Sequence, residues 1–524
     1  MAIPFALLAV AAPAQAQTYT VTDTANSGAG SLRAAVEAAN SAPGADTIQF
    51  ASGVSGTIVL SGTGLTIKDS VEIDGPGAGQ LTVEQTSKEH RVFKIAAFAT
   101  PGAVTFSGLH IANGWIKDNG GDIYNEDTNA SLTISNCVVS GARTESAGYG
   151  GAVDSFGAPL TIRDSIFTGN EGSNGGAIWA GGDETPLTIE SSTFTGNKAE
   201  GVGGAVLVEV EHGSEHKIVG STFVGNRARD AGGAVDISSG NGAPVLIANS
   251  TFSGNQTPGS GGAIASGGES LTVTIEDSTI AGNQVTGATH GGGGISFFNV
   301  ERLVDTIVAG NTSAGTGPDL AGKALASFDL IGNPAQSELT ELVPSSDLVG
   351  VDPQLGPLAD NGGSTETMAL PPSSPAVNKG GGGLGVDQRG EARPSLYPGV
   401  SSSTAAGANG ADIGAYELQA PGSSARGLRV RLSCPKAAKP GGCKFALQAV
   451  SGKPRRVKGR LHKPKPESAV ARLKLRPGHH AVLTLKPKPK FAARLEAAKK
   501  ILVREVETAE GRTHTSYRRL RLVG

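Results

Sequence analysis

The sequence is poor in aromatic residues and in cysteine. Aromatics make up 4% of the 524 residues and only three residues are Cys, whereas 77 are Gly. This composition is unusual for an enzyme with a tightly packed helical core and is typical of repetitive, turn-rich β proteins. We therefore expect an all-β protein without long helices.

Apolar runs of membrane-spanning length are also missing. The run from Ile3 to Ala12 is too short to cross a bilayer. It precedes Ala14-Gln15-Ala16, a small-x-small cleavage pattern, so residues 1–16 are predicted to be a secretory signal peptide. We expect a secreted, extracellular protein, associated with the cell envelope and without a transmembrane segment.

The three cysteines give no metal-binding pattern. Cys434 and Cys443 are nine residues apart, and no second pair or suitably placed His accompanies them as a zinc site would require. In an oxidising compartment these two cysteines are predicted to form a disulfide. No metal and no cofactor are expected.

The net charge of −3 hides two regions of opposite sign. Residues 426–524 contain 27 Lys and Arg but only 5 Asp and Glu. The rest of the chain contains 17 Lys and Arg and 42 Asp and Glu. Regions this different predict separate domains with different partners.

A repeat of about 28 residues occupies the middle of the chain. The pattern F-x-G-N begins at Phe167, Phe194, Phe223 and Phe252, and it alternates with the pattern G-G-A-[IV]. The Asn positions are 27 to 29 residues apart: Asn170, Asn197, Asn226, Asn255, Asn283 and Asn311. Short alternating apolar runs between turn residues, at a fixed period, predict a parallel β-helix, right-handed by the usual chirality of parallel crossovers.

Stacked coils assign a structural role to most repeated positions. The Phe residues are expected to fill the interior, the Asn residues to form a hydrogen-bonded ladder at a turn, and the paired Gly residues to allow positive φ or close backbone approach. Cys137 occupies the column of Ser165 and is expected to be a buried, unreactive thiol. The alternating motifs resemble the repeats of the polymorphic outer membrane proteins, which implies a surface β-helix with an adhesion-like role.

Both ends of the repeat region carry distinct sequences. Ser31 is predicted to cap a short helix with Leu32, Ala35, Val36 and Ala39 on one face, which would cover the first coil. Between Phe328 and Leu418, the blocks "FDLIGN", "DQRGEARP" and "ADIGAYEL" resemble the choice-of-anchor Q domain of secreted proteins. The polar residues of this region are expected to pair with one another and with backbone groups at the closing coils: Asp387, Arg389, Arg393, Asp412 and Glu417.

Strand parity identifies the residues that point out of the coil after each G-G-A motif. One outward column contains Tyr124, Asp154, Trp179, Leu207, Asp236, Ala265 and Ser296. A second contains Glu126, Phe156, Gly181, Glu209, Ser238, Gly267 and Phe298. Exposed aromatics beside carboxylates suit sugar rings. Six residues are therefore predicted to bind an extracellular glycan or another surface ligand: Tyr124, Asp154, Phe156, Trp179, Glu209 and Asp236.

The alternative is that the β-helix is an enzyme, either a polysaccharide lyase or a glycoside hydrolase. Asp154 and Asp236 would be about 14 Å apart, too far for paired acid–base chemistry. Glu209 and Asp236, on adjacent coils, would be about 8 Å apart, a separation that suits only an inverting hydrolase. Motifs of pectin hydrolases are absent, and the face offers few bases for a lyase. No catalytic residue is therefore assigned, and a passive spacer remains a third interpretation.

The chain is thus divided into a signal peptide (1–16), a cap with a short helix (17–56), about ten coils (57–331), a closing segment (332–418), a linker (419–427) and a basic module (428–524). The last part alternates in period two and resembles small Ig-like β-sandwich modules of secreted proteins. Its positive charge predicts binding to an anionic cell-envelope polymer rather than to nucleic acid.

Overall fold

The computed structural model describes residues 16–420, except 146–147, 183–184, 211–214, 240–243 and 269–270, and beyond residue 420 the backbone of nine strands. The chain forms two compact units, residues 1–394 with 400–418, and residues 395–399 with 419–524. The first is an all-β parallel solenoid of about ten turns, as the repeat predicted.

Each central turn contains four strands in a fixed order. One turn runs through Glu171–Gly172, Ile178–Gly182, Leu187–Glu190 and Thr193–Thr195. Each of these strands pairs in parallel with its counterpart one repeat later. We call the four stacks the short column, the GGA column, the LTI column and the Phe column.

The strand bounds follow these columns. The short column comprises Trp115–Ile116, Arg143–Thr144, Glu171–Gly172, Lys198–Ala199, Arg227–Ala228, Gln256–Thr257, Gln284–Val285 and Thr312–Ser313. The GGA column comprises Leu65–Ile67, Phe93–Ile95, Ile123–Asn125, Val153–Phe156, Ile178–Gly182, Val206–Val210, Val235–Ser239 and Ile264–Gly267. The LTI column comprises Thr18–Val21, Asp46–Phe50, Val71–Asp74, Gly102–Ser107, Ala130–Ser135, Leu160–Arg163, Leu187–Glu190, His216–Val219, Pro244–Ala248, Thr272–Glu276 and Ser337–Glu341. Two long strands, Ile295–Val304 and Leu320–Ser327, each take part in both the GGA column and the LTI column. The Phe column comprises Gly56–Leu60, Leu81–Gln85, His110–Ala112, Val138–Ser140, Ile166–Thr168, Thr193–Thr195, Thr222–Val224, Thr251–Ser253, Thr279–Ala281, Ile307–Ala309, Leu330–Ile331 and Leu348–Val349.

The repeated phenylalanines stack inside the solenoid. The ring centroids of Phe167, Phe194, Phe223 and Phe252 are 5.0, 4.8 and 4.7 Å apart, and the rings are nearly parallel. All four side chains are fully buried. Residues one repeat apart therefore lie directly above one another, as predicted.

The Asn ladder is also confirmed. Asn197 donates from Nδ2 to Phe167 O and to Asn226 Oδ1, both at 3.0 Å, and the same pattern continues to Asn311. There, Asp319 Oδ1 accepts from the backbone N and the Nδ2 of Asn311, both at 2.9 Å. A carboxylate thus supplies the acceptor that a further Asn would have provided.

A second ladder runs through the column of Cys137. Cys137 N donates to Ser165 Oγ at 3.1 Å, and the ladder passes through the serines to Thr306, whose N donates to Asp329 Oδ1 at 2.8 Å. Cys137 is buried, and burial raises the pKa of its thiol to about 12. The prediction of a buried thiol is confirmed.

The paired glycines of each G-G-A motif meet two different constraints. Gly203 has a φ of +65°, and a Cβ on Gly204 would come within 2.0 Å of Gly233 O in the next turn. Positive φ and close backbone approach both exclude larger residues at this corner.

The N-terminal cap contains one α-helix, Leu32–Ser41, in the place predicted. Ser31 Oγ accepts from Ala34 N at 3.2 Å, and Leu32, Ala35, Val36 and Ala39 are buried. The cap also contributes two paired strands to the solenoid, Thr18–Val21 and Asp46–Phe50.

The closing segment lies differently from its sequence-based placement. Only Ser337–Glu341 and Leu348–Val349 extend the coil. The following part, residues 352–394 and 400–418, includes one short antiparallel pair, Leu358–Ala359 with Thr367–Met368, and runs across the outside of the Phe column. We call it the strap. It forms hydrogen bonds with outward threonines of three central turns, which are buried: Thr222, Thr251 and Thr279.

The second unit consists of antiparallel strands. Leu428–Ser433 pairs with His480–Leu485, and Cys443–Ser451 lies between Ala471–Leu475 and Lys500–Ala509. The remaining strands are Arg455–Val457, Arg460–His462, Lys465–Pro466 and Arg512–Arg521. The alternating segments of the basic module are therefore strands, as predicted. The predicted Cys434–Cys443 disulfide lies outside the described residues, since the strand of Cys443 is described by its backbone alone.

Candidate functional site

The predicted outward columns are correct in register. Tyr124 pairs with Asp154, Asp154 with Trp179, Trp179 with Leu207, and Leu207 with Asp236. In the second column, Phe156 pairs with Gly181, Gly181 with Glu209, and Glu209 with Ser238. The six predicted ligand-binding residues therefore lie on one surface of the GGA column. We call this surface the aromatic–acidic face and include the neighbours described below.

Phe298 does not join the second column. The pairing of its strand with the next one shifts between Ser296 and Val300, so the alternation breaks at this point. Phe298 is 70% exposed and stands apart from the column to which its spacing assigned it.

The expectation that the face is open to solvent is wrong for three of the six residues. Asp154 is 0% exposed, and Trp179 and Asp236 are both 8% exposed. Side chains from other segments pack over the column, which strand parity alone does not reveal. Phe156 remains open, with 41% of its surface exposed.

Three aromatic rings form a stack on this face. The Trp179 ring contacts Tyr149, at a centroid distance of 4.4 Å, and Phe156, at 4.8 Å with only 13° between the planes. The Trp179 Nε1 donor is buried and has no hydrogen-bond partner. The stack presents the apolar ring of Phe156 to solvent next to Trp179, whose Nε1 donor is unpaired.

Arg91 covers the adjacent part of the face. Its guanidinium carbon lies 4.6 Å from the centroid of the Tyr124 ring, and its Nη2 lies 3.1 Å from Asn119 O and 3.6 Å from Asp118 Oδ2. Burial lowers the pKa of Arg91, and Asp118 opposes this shift. Burial, followed by the nearby Asp154, raises the pKa of the Tyr124 hydroxyl.

Asp154 is the most unusual group of the face. Neither of its carboxyl oxygens has a hydrogen-bond partner of ordinary geometry, although the Phe156 backbone N–H lies near enough to favour the anion slightly. Burial raises the pKa of Asp154 well above its usual value, and Arg91 only partly offsets this. A buried carboxyl group without partners is costly, so Asp154 favours the protonated form or a ligand that supplies hydrogen-bond donors.

Asp236 and Glu209 form the other end of the face. Burial raises the pKa of Asp236 to about 6, Glu209 adds to this shift, and Ser238 Oγ opposes it by donating to Asp236 Oδ1 at 2.9 Å. Glu209 also acts on Asp154 through its charge. The carboxyl groups of the face are therefore electrostatically coupled along three turns.

The polar residues of the strap pair with one another, as the sequence suggested. Arg389 Nη2 lies 2.6 Å from Asp387 Oδ2, and Arg393 pairs with Asp277 and, at 3.4 Å, with Glu417. Asp412 Oδ1 accepts from Asn378 N at 2.7 Å. Among these contacts, the pair of Arg393 and Asp277 joins the strap to a central turn, and the others lie within the strap.

Two contributors to the face were not identified from the sequence, Arg91 and Tyr149. Arg91 precedes the recognisable repeats, so the period could not place it. Tyr149 has a weak signal, because it occupies a turn column otherwise filled by smaller residues such as Asn174 and Ala231. Within the described part of the chain, no group of three or more His, Cys, Asp or Glu is arranged to hold a metal ion, and no helix is long and apolar enough to cross a membrane.

A match to a protein-family model supports the fold. Residues 158–317 match the family model of the right handed beta helix region. No curated protein sequence matches the chain. Among solved structures, it is similar to the A-module of the mannuronan C-5 epimerase AlgE6 of Azotobacter vinelandii, with 16% identity over 64% of this chain and 100% of the module and a TM-score of 0.33. It is also similar to the A-module of the mannuronan C-5 epimerase AlgE4 of the same organism, with 14% identity over 63% of this chain and 98% of the module and a TM-score of 0.31. Likeness at this level carries no inference about substrate or activity, whereas the family model agrees with the right-handed β-helix predicted from the repeats.

Proposed function

We propose that the protein is a secreted or cell-surface β-helix protein that binds carbohydrate through the aromatic–acidic face. The observation that carries the proposal is the exposed Phe156 ring, which is stacked on Trp179 on a face that also carries carboxyl groups. A pyranose ring can stack on the aromatic platform while its hydroxyls donate to carboxyl oxygens. The face thereby combines the apolar and polar contacts that a sugar requires.

Tryptophan fluorescence tests this proposal, because the sequence contains two Trp residues. In a Trp115→Phe variant, Trp179 is the sole tryptophan and lies directly against Phe156. Titration with oligosaccharides should change its emission in a saturable manner. The matched Trp179→Phe variant, which retains Trp115, should show no change. The proposal fails if neutral, amino and acidic oligosaccharides all leave the Trp179 emission unchanged.

A second candidate, an inverting glycoside hydrolase, is favoured by the carboxyl groups of Glu209 and Asp236. The raised pKa of Asp236 suits a general acid, and a separation of about 8 Å from Glu209, estimated from strand spacings, leaves room for a water molecule. The test is a reducing-end assay on the oligosaccharides that bind. Binding without new reducing ends supports the binding function, whereas release that is lost in Asp236→Asn and Glu209→Gln supports the hydrolase.

The surface location is a further part of the proposal. The resemblances of the repeats to polymorphic outer membrane proteins and of residues 328–418 to the choice-of-anchor Q domain support an adhesion-like role outside the cell. The basic residues of 426–524 suit an anionic envelope polymer. Deletion of residues 426–524 should release the β-helix from the cell envelope into the medium. If neither binding nor turnover is detected, the β-helix is a passive spacer.

A further inference from the structure

The strap is held by a set of turn residues that recurs in successive turns of the solenoid. Each of them links a strand of the LTI column to a strand of the Phe column. We call this set the turn column. Its members all have a positive φ, between 46° and 64°: Asn136, Asp164, Ser191, Gly220, Asn249, Asp277 and Asp305. The strap forms hydrogen bonds with the last four of them.

Asp305 shows how the turn column binds the strap. Its two carboxylate oxygens accept from the backbone N–H groups of Gly381, at 2.9 Å, and Gly382, at 2.7 Å. A Cβ on Gly380 would lie only 2.6 Å from Asp305 Oδ1. A segment with larger residues could therefore not bring its backbone this close to the carboxylate.

An apolar side chain beside Asp305 completes the contact. Ile307 is fully buried, and a Cβ on Gly414 of the strap would lie 2.7 Å from Ile307 Cδ1. Gly414 also donates from its backbone N to Asp305 O at 2.7 Å. One turn thus offers a carboxylate and an isoleucine to glycine backbone of the strap.

The turn at Asp164 repeats this arrangement where no strap covers it. The sequence "DSI" from Asp164 corresponds to "DTI" from Asp305, and both Asp residues have a φ of +48°. Ile166 and Ile307 occupy the same position of the Phe column. However, Asp164 is exposed and 43% of the Ile166 surface is exposed. Among the described residues, none forms a hydrogen bond or an ion pair with the Asp164 carboxylate.

We propose that the turn of Asp164 and Ile166 is a docking site for an extended, glycine-rich segment of a partner protein. The site is continuous with the surface that the strap occupies, since only the turn of Ser191 separates Asp164 from Gly220. Consecutive glycine N–H groups of the partner donate to the Asp164 carboxylate in charge-assisted hydrogen bonds, and the same backbone packs on Ile166. The site is independent of the proposed carbohydrate binding, which uses the GGA column.

Methyl NMR of the full chain, labelled at the δ1-methyl groups of isoleucine, tests the proposal. The probe is a synthetic peptide with the strap sequence KGGGGLGV of residues 379–386. It should shift the Ile166 signal, assigned with Ile166→Val, in a saturable manner. The Ile307 signal, which comes from beneath the strap, should not move. A peptide with Ala in place of every Gly should leave both signals unchanged, because its Cβ atoms would meet the carboxylate.

Two variants assign the binding to this turn. Asp164→Ser removes the charged acceptor and should weaken the affinity for the glycine peptide at least about tenfold. Ser191 adopts the same backbone conformation in the next turn, with a φ of +49°, so a serine is compatible with the fold. Asp230→Ser removes an exposed acid at a different corner of the solenoid and should leave the affinity unchanged.

Four results would overturn the inference. The glycine peptide leaves the Ile166 signal unchanged, or the Asp164→Ser variant binds it as tightly as the native chain does. The Ile307 signal moves instead, which would show that the peptide displaces the strap. The Ile166 signal shifts with protein concentration in the absence of peptide, which would identify a second copy of this chain as the occupant.

Discussion

At the scale of single residues, sequence periodicity determined which side chains leave the coil but not how much of each is exposed. Asp154, Trp179 and Asp236 follow from the two-residue alternation of a strand whose register is set by the repeat. Trp179 packs on Tyr149, a large residue in a turn column of smaller ones, and Arg91, outside the repeats, acts on Asp154 through its charge. The period signals neither contact, so the raised pKa values of the carboxyl groups could not be foreseen.

The balance of forces on Asp236 gives a prediction at this scale. Removing the Ser238 hydroxyl in Ser238→Ala deletes the hydrogen bond that favours the ionised carboxylate, so the pKa of Asp236 should rise from about 6 towards about 7. Carboxyl carbon-13 NMR measures this value directly. Ser296→Ala, two turns farther along the column of Asp236, serves as the control, and a pKa that stays the same or falls in Ser238→Ala would refute the assignment.

At the scale of elements, the ladders were predictable wherever the motif repeats and unpredictable where it ends. The Asn column could be recognised because a turn residue with both a donor and an acceptor recurs at a fixed period. Asp319 ends the Asn ladder, and Asp329 continues the second ladder to Asp347, whose Oδ1 accepts from Asp329 N at 2.9 Å. These carboxylates replace Asn and Ser and are not in the motif, so their place in the ladders could be read only from the folded stack.

The ladder predicts a large cost for a small change. Asn226→Ala leaves Asn197 N and Phe194 O without a buried partner and removes two contacts between ladder amides. The free energy of unfolding should fall by about 3 kcal/mol, since each buried unsatisfied group costs about 1–3 kcal/mol. Urea denaturation measures the difference.

The control for this prediction is Gln256→Ala. Its side chain bonds Gln284 Oε1 at 2.9 Å but does so in solvent, so its loss should cost less than about 0.5 kcal/mol. Equal effects of the two substitutions would show that the Asn ladder is not a stabilising element.

At the scale of the whole molecule, the strap is the feature that sequence reasoning misplaced. The resemblance that identified it gave an order of motifs, and their position at the end of the repeats suggested the end of the coil. The strap instead forms hydrogen bonds with three outward threonines of the Phe column: Thr222, Thr251 and Thr279. Contacts between residues more than 100 positions apart carry no periodic signal, so the sequence could not reveal them.

The strap makes stability depend on pH. Asp305 accepts from Gly381 N at 2.9 Å and Gly382 N at 2.7 Å, and burial, together with Asp277, raises its pKa to about 7. An unfolded Asp has a pKa of about 3.9, so the folded state binds more protons between about pH 4 and pH 7. The free energy of unfolding should therefore fall as the pH rises through this window. Asp277 contributes in the same direction, and Arg393 opposes it.

Two variants separate this titration from simple loss of strap contacts. Asp305→Asn should reduce the slope of the pH dependence measured by urea denaturation, while other buried carboxyl groups with raised pKa values, such as Asp236, retain their part of it. Thr251→Val removes a buried hydrogen bond to Gln388 without removing a titrating group, so it should lower stability at every pH with the slope retained. A slope in Asp305→Asn equal to that of the native chain would exclude Asp305 as its source.

The proposed carbohydrate binding depends most on the exposed ring of Phe156, on which a sugar would stack. Isothermal titration calorimetry with an N-acetylglucosamine hexamer should show affinity at least about tenfold weaker for Phe156→Ala than for the native chain. Phe298→Ala, which removes a more exposed ring away from the face, should bind as the native chain does. Native affinity in Phe156→Ala, or an equal loss in both variants, would contradict the assignment of carbohydrate binding to the aromatic–acidic face.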